Sequence, residues 1–307
     1  MRMAPRRSFV CSALALGALI AFTGACRKSA ARAVVVCTVV PVANLAERVA
    51  GPDADVRLLV AADASAGKAP LDVAVKIAGV RLAVRVGLGF DDWLDALARA
   101  EGKGVRSLAI GDRVPTRTVS LPMRSTGSKA DPHEDPARID PYVWLDPQRM
   151  RLAAKAIGEE LARADAAHAN AYRFRAGELD DVLGRFDDAM EAKMKACTPA
   201  PLVVDAPVLG YFAERYGVTV VAVLRPLGVP AAAPWLASIR AALVDIPQAR
   251  VLVTAREIPD EARSIDRPVQ HVPTDGRTVE DAVSALVEAM CPAPIGSPQP
   301  AHAPQGR

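Results

Sequence analysis

One segment, from Asp140 to Cys197, decides much of what this chain can become. It opens Asp140-Pro141-Tyr142-Val143-Trp144-Leu145-Asp146-Pro147 and then runs without another proline until Pro199. Within it Tyr172, Ala176, Leu179, Leu183, Phe186, Met190, Met194 and Cys197 recur at steps of three or four. That is the spacing of an apolar stripe down one side of an α-helix. At about 1.5 Å per residue, the part from Asp165 to Cys197 makes a rod on the order of 50 Å long, more than one small domain holds. The rod is expected to lie across two domains, with a separate helix over Pro147 to Arg163 and a break near Asp165. Tyr142 and Trp144 then stand in a loop or strand end just before helices begin.

On either side of the rod, short apolar runs alternate with helical patterns. Before it come strands at Ala33 to Val40, Val56 to Val60, Leu82 to Val86 and Val105 to Ile110. Helices are predicted between them at Val42 to Ala50, Leu71 to Ala78 and Phe90 to Ala100, the first stopped by Gly51. After the rod, strands are predicted at Leu202 to Asp205, Val218 to Leu224, Val251 to Thr254 and Val269 to Val272. The helices there are Val208 to Tyr216, Pro234 to Val244 and Val279 to Met290. Strands apolar on both faces and separated by helices form a covered parallel sheet. The expected fold class is therefore α/β, with two Rossmann-like lobes, residues 33–146 and 198–291, bridged by a helical segment over residues 147–197. Asp112 to Asp140 has no period and carries Pro115, Pro122, Pro132 and Pro136, a long surface loop. Residues 292–307 are proline-rich and expected to be disordered. Ligands of such sheets bind beyond the carboxyl ends of the strands, so the expected site is a cleft between the lobes.

Residues 1–26 read as a signal peptide. Arg2, Arg6 and Arg7 precede an apolar run from Phe9 to Phe22, which is shorter than the roughly 20 residues a transmembrane helix needs. It ends Thr23-Gly24-Ala25-Cys26, which resembles a bacterial lipoprotein cleavage site, with Thr23 where an aliphatic residue is usual. Lipidation of Cys26 would tether an exported protein to a membrane face. Arg6-Arg7-Ser8-Phe9-Val10 also resembles a twin-arginine export signal. Export places Cys37, Cys197 and Cys291 in an oxidising compartment. Cys37 lies inside an apolar strand and is expected as a buried free thiol, while Cys197 and Cys291 each close a predicted helix and are candidates for a disulfide that spacing alone does not fix.

A composition of 51% hydrophobic and 24% charged residues is globular, and a net charge of +3 without a basic run or interleaved aromatics excludes a nucleic-acid partner. No Gly-x-Ser-x-Gly, Walker loop or dinucleotide fingerprint is present, so the sequence offers no enzyme chemistry.

Three segments resemble the solute-binding proteins of metal-uptake ABC transporters, the zinc and manganese family. Val86-Gly87-Leu88-Gly89-Phe90-Asp91-Asp92-Trp93-Leu94 is similar to its glycine-rich strand-to-helix turn, and Asp140 to Pro147 to its Pro-His-x-Trp-Leu-Asp-Pro signature. Leu209-Gly210-Tyr211-Phe212-Ala213-Glu214-Arg215-Tyr216-Gly217 is similar to the aromatic helix of its second lobe. The resemblance implies an ABC transporter permease as partner and a divalent ion, zinc or manganese, as transported ligand. It also implies three metal-binding histidines and a carboxylate between the lobes. This chain departs at each histidine: none falls between Asp63 and Ala69, Tyr142 replaces the second and Ala206 the third. Asp275 is the candidate for the carboxylate. The four histidines that do occur, His133, His168, His271 and His302, do not rebuild the set. An oxygen-only site from Asp63, Asp205 and Asp275 would suit a hard cation such as manganese or magnesium. Arg225, in the turn after a strand, is expected either to neutralise Asp205 or Asp275 or to be exposed. Two functions follow: a metal-uptake binding protein with a degenerate site, or an accessory lipoprotein of the same fold that has lost metal binding.

Overall fold

Runs of valine flanked by turns form the first sheet. In the computed structural model, which describes residues 32–59, 79–100, 104–119, 139–226, 233–274 and 276–292, the strands are β1 (Ala33–Cys37), β2 (Ala54–Leu58), β3 (Val80–Arg85) and β4 (Arg106–Ala109). All are parallel, in the order β2-β1-β3-β4. Val35, Val36 and Cys37 of the inner strand β1 are wholly buried, while β2 at the edge is largely open. The second sheet repeats the plan with β5 (Leu202–Val204), β6 (Val220–Val223), β7 (Arg250–Val253) and β8 (Val269–His271), parallel and in the order β6-β5-β7-β8. The fold is thus two α/β lobes of the same strand order. The expected helix from Leu71 to Ala78, the leader and the tail lie outside the described residues.

In the first lobe α1 (Val40–Ala50) starts with Pro41 in its first turn and stops at Gly51, whose φ of 55° suits glycine. It is followed by α2 (Trp93–Ala100). Between the sheets run α3 (Pro147–Ala164) and α4 (Ala169–Lys195), and the second lobe carries α5 (Gly210–Tyr216), α6 (Ala233–Ala242), α7 (Asp260–Arg263) and α8 (Val279–Met290). The one-turn helix α7 lies between β7 and β8.

The rod is shorter than its stripe implied. A 3₁₀ turn over Ala166–His168 separates the two helices, leaving 27 residues in α4, about 40 Å. The stripe also shifts near its middle: Phe186 is half-buried and Asp187 is the wholly buried residue instead. α3 and α4 form a hairpin. Gly158 permits their close approach, because a Cβ there would come within 2.7 Å of the Ala176 Cβ. Asp146 caps α3, accepting from Gln148 N at 2.8 Å, with Pro147 in the first turn.

α4 touches both lobes. Arg175 donates to the carbonyls of Val49 and Ala50, each at 2.7 Å, and so fastens α4 to the end of α1. At its other end, Cys197 is joined by a disulfide to Cys291 beyond α8, with Cα atoms 5.8 Å apart. Cys37 is a buried free thiol, and burial pushes its pKa far up, so it is not an ionised nucleophile. One buried apolar cluster runs through the molecule, from Val35 and Leu45 through Met150 and Leu183 to Tyr211 and Leu286. Among the described residues no helix is long and apolar enough to cross a membrane.

Candidate functional site

The first lobe presents the turn between β3 and α2. Gly87, Leu88 and Gly89 all have positive φ, at 78°, 58° and 81°. Such a run favours glycine, and Leu88 is held there by neighbours: a Cβ on Gly111 would strike the Leu88 side chain at 2.5 Å, so glycine at 111 leaves it room. Asp91 closes the turn, accepting from Val86 N at 2.8 Å, Gly87 N at 2.7 Å and Thr38 Oγ1 at 2.5 Å. Burial raises its pKa, and those three bonds pull the other way. Beside the turn, half-buried Phe90, Tyr142 and Trp144 meet edge to face, with centroids 5.3 to 6.2 Å apart. Tyr142, expected at the second histidine position, is one member of this trio.

The second lobe presents Asp205, Ala206 and Arg225. Asp205 is wholly buried after β5 and accepts from Thr254 N at 2.8 Å, Thr254 Oγ1 at 2.9 Å and Ala255 N at 3.1 Å. Both its oxygens serve the end of β7, and these bonds take three of the roughly four acceptor positions of a carboxylate, which leaves little of its capacity for an ion. Arg225 Nη2 stands 4.0 Å from Asp205 Oδ2 with 43% of its side chain exposed, a contact worth little in water. Its backbone N–H donates to the Asp205 carbonyl at 3.0 Å. Ala206, half-buried and extended, leads into a 3₁₀ turn over Pro207–Leu209 and offers only a methyl group where the third histidine was expected.

A strap of charged residues, not foreseen in the sequence, brings the Tyr142 and Ala206 segments together. Asp140, wholly buried, accepts from Tyr142 N at 2.9 Å and Arg117 Nη1 at 2.7 Å. Its carbonyl accepts from Tyr211 Oη on α5 at 2.7 Å, while Tyr211 Oη accepts from Arg117 N at 3.2 Å. Arg117 and Arg149 both reach Glu214 of α5, at 3.3 and 3.0 Å, and Arg149 also pairs with Asp146. Gly210 makes this crossing possible, since a Cβ there would overlap Arg117 and the Asp140 carboxylate. Burial pushes the Asp140 and Asp146 carboxyls above their ordinary range, against the pull of their arginines. The Asp-Pro pairs at 140–141 and 146–147 were the one visible signal. Arg117 sits in a stretch without period, and the described residues of the expected 112–140 loop are tied down by these bonds and by an antiparallel bridge between Thr118 and Ile139.

Of the remaining candidates, Asp63, Asp275, Cys26, His133 and His302 lie outside the described residues. His168 is exposed just before α4 and bonds Asp165 at 2.7 Å, and exposed His271 donates to the Ala255 carbonyl at 2.9 Å. Among the described residues no group of three or more His, Cys, Asp or Glu side chains could hold a metal ion.

The architecture matches solved structures of other proteins. A ZnuA crystal structure superposes with a TM-score of 0.71 at 18% identity, covering 85% of this chain and 100% of that one. The periplasmic zinc-binding protein TroA from Treponema pallidum gives 0.69 at 17% identity, covering 85% and 98%. FpvC from P. aeruginosa, a binding protein solved with a Ni²⁺ ion, gives 0.68 at 17%, covering 84% and 97%. No curated protein sequence matches the chain. The sequence profile described as ZnuA, zinc-uptake complex component A, periplasmic, matches residues 35–267, and the chain belongs to that family.

Proposed function

We propose that this protein is the solute-binding component of a metal-ion ABC uptake system, exported and tethered through Cys26, with a cargo site that lacks the family's imidazoles. Membership of the zinc-uptake family and the two-lobe architecture support the transport role. The observation that carries the altered site is at its two described histidine positions: Tyr142 is packed among aromatic rings and Ala206 has no donor. A phenol with a pKa near 10 is a poor ligand unless ionised, and a methyl group is none. The cargo in this reading is a hard divalent cation such as manganese or magnesium, held by Asp63 and Asp275 with water or backbone oxygen. Asp205, whose oxygens are committed to Thr254 and Ala255, is not in that set.

That last point favours a second reading. With Asp205 committed inward, fewer donors remain, and an accessory lipoprotein that docks on a permease without cargo fits the same fold. Metal content of the purified protein, together with thermal unfolding in manganese, magnesium and zinc, separates the two. An ion bound only by the native state at 100 times its Kd adds about 2.7 kcal/mol, so cargo binding is expected to raise the transition clearly. No bound metal and no shift with any of the three would reject the uptake reading for the accessory one.

A further inference from the structure

Away from the mouth, the first lobe carries a groove of about 670 Å³ beside its edge strand β4 and the last turn of α3. Among the described residues its wall holds Arg81, Arg106, Arg113 and Arg163 against one acid, Glu160. Four guanidinium groups facing one carboxylate leave a formal excess of three positive charges, as much as the +3 of the entire chain, gathered at one concave surface. The ordinary reading of scattered charge is a solvated face on which both signs mingle. That is not the arrangement here.

Glu160 does not cancel the excess, because it is buried and already held. Arg106 Nε donates to its Oε2 at 2.8 Å and Arg163 Nη1 to its Oε1 at 2.6 Å. The acid therefore acts as a brace that fixes two guanidinium planes, each with further N–H donors to offer. Arg81 and Arg113 are exposed and make no ion pair among the described residues. Ser107, on β4, adds a hydroxyl to the wall. The carboxyl end of α3 opposes an anion here, since its last turn lines the groove. That field falls away within one turn and is screened by salt, and Arg163 sits on it. Planar, always-charged guanidinium forks match the oxygens of phosphate, two bonds to each group. A groove with room for more than one such group, and an excess of three charges, suits a multiply charged ligand.

We infer that this groove binds phosphate-type oxyanions, with Arg81 and Arg113 as the free recognition groups and Arg106 and Arg163 held in place by Glu160. The ligand is a soluble polyphosphate or the phosphate headgroups of an anionic membrane, one chemistry from two sources. It is independent of the cargo site, because its residues lie in other elements than Tyr142, Ala206 and Asp205.

The test uses the full chain, an Arg81→Gln/Arg113→Gln variant and a charge-matched Arg57→Gln/Arg185→Gln control from exposed positions elsewhere. Tripolyphosphate binding is followed by calorimetry, and retention is measured on vesicles of phosphatidylglycerol mixed with phosphatidylcholine and of phosphatidylcholine alone. The groove variant is expected to bind tripolyphosphate at least roughly tenfold more weakly, as loss of two charge-assisted contacts requires, while the control binds as the parent does. Loss of phosphatidylglycerol-dependent retention in the same variant assigns the ligand to the membrane; retained vesicle binding assigns it to a soluble polyanion. Equal tripolyphosphate affinity in all three proteins, or equal loss in the control, overturns the proposal. Unfolding curves of the variants check that both proteins remain folded, as replacement of exposed side chains predicts.

Discussion

The mouth and the spine of this molecule use their charged residues in opposite ways. At the mouth the two buried acids each bond within their own lobe. Asp91 binds Thr38, Val86 and Gly87 within the first lobe, and Asp205 binds Thr254 and Ala255 within the second. The two arrangements are alike: in each lobe a buried carboxylate takes two backbone N–H groups and a threonine hydroxyl and so joins the ends of the two central strands, β1 and β3 in the first lobe and β5 and β7 in the second. Along the spine the charged residues cross between parts. Arg175 ties α4 to the first lobe, Asp187 ties it to Arg215 and Tyr216 of the second, and Arg48 of α1 reaches Glu280 of α8. The lobes are thus mounted by the spine and the Asp140 strap, and the mouth does little of the mounting. A site whose residues do not hold the fold together can lose its ligands without the fold being lost, as the proposed reading of Tyr142 and Ala206 requires.

The strongest way to break this comparison is at Asp187. It is wholly buried, accepts from Arg215 Nη2 at 2.5 Å, Tyr216 Oη at 2.9 Å and Gln148 Nε2 at 2.5 Å. Burial alone would raise its pKa, but those donors outweigh it and hold the carboxyl below its ordinary range. Asp187→Ala leaves three donors without their acceptor and is expected to cost about 3 to 5 kcal/mol in denaturant unfolding. The adjacent exposed Asp188→Ala should stay within about 0.5 kcal/mol. A cost at Asp187 below about 1 kcal/mol would mean that the spine is not what mounts the second lobe.

A smaller effect is expected at the mouth. Asp205→Asn keeps the shape but turns an amide N–H₂ toward donors, leaving at least one buried N–H of Thr254 or Ala255 unpaired. The cost should be about 1 to 3 kcal/mol, as for one unsatisfied buried group. On the proposed reading, in which Asp205 serves β7 and not cargo, the substitution should leave the ion-induced shift in unfolding temperature unchanged. A lost shift with unaltered stability would move Asp205 back among the ligands.

How far the sequence reveals these two regions differs for a physical reason. The lobes and the bridging helix are visible because burial imposes periods of two and 3.6 on apolar residues, and Tyr172 through Met194 keep that period over most of α4. The same stripe hides Asp187, which takes a buried position by virtue of partners from α3 and α5 that no local pattern announces. At the mouth, an acid at a strand end looks alike whether it awaits a cation or braces its own lobe. Asp205 could be suspected as a ligand from its place, but only its bonds to Thr254 and Ala255 reveal its occupation. Arg117 was hidden in an aperiodic stretch because the strap is held by pairing across more than twenty residues, to Asp140, and by the space that Gly210 leaves.

The faintest of the expected effects lies where the spine breaks, at the turn before α4, and its sign sharpens the contrast because it depends on pH. His168 Nδ1 is 2.7 Å from Asp165 Oδ2 and its Nε2 is 3.8 Å from Asp53 Oδ1. Tyr172 Oη also donates to Asp165, and Arg175 pairs with Asp53, so the imidazole faces two acids, one phenol and one guanidinium. The bond to Asp165 raises the His168 pKa above 6.5, chiefly by stabilising the imidazolium, with Arg175 opposing. Burial pushes Asp165 up, but the bonds from His168 and Tyr172 prevail and keep it below its ordinary range, so it remains ionised wherever His168 titrates. A raised folded-state pKa means the contribution is complete below the unfolded value and is lost as pH rises through the folded one. His168→Gln should therefore lower the unfolding temperature most near about pH 5 and least near about pH 8. The difference stays small because the ring is exposed and its pairs are screened. A gap between the two proteins that widens toward alkaline pH would show that the break is held by the ring's neutral form, and the turn would then belong with the self-contained mouth and not with the crossing contacts of the spine.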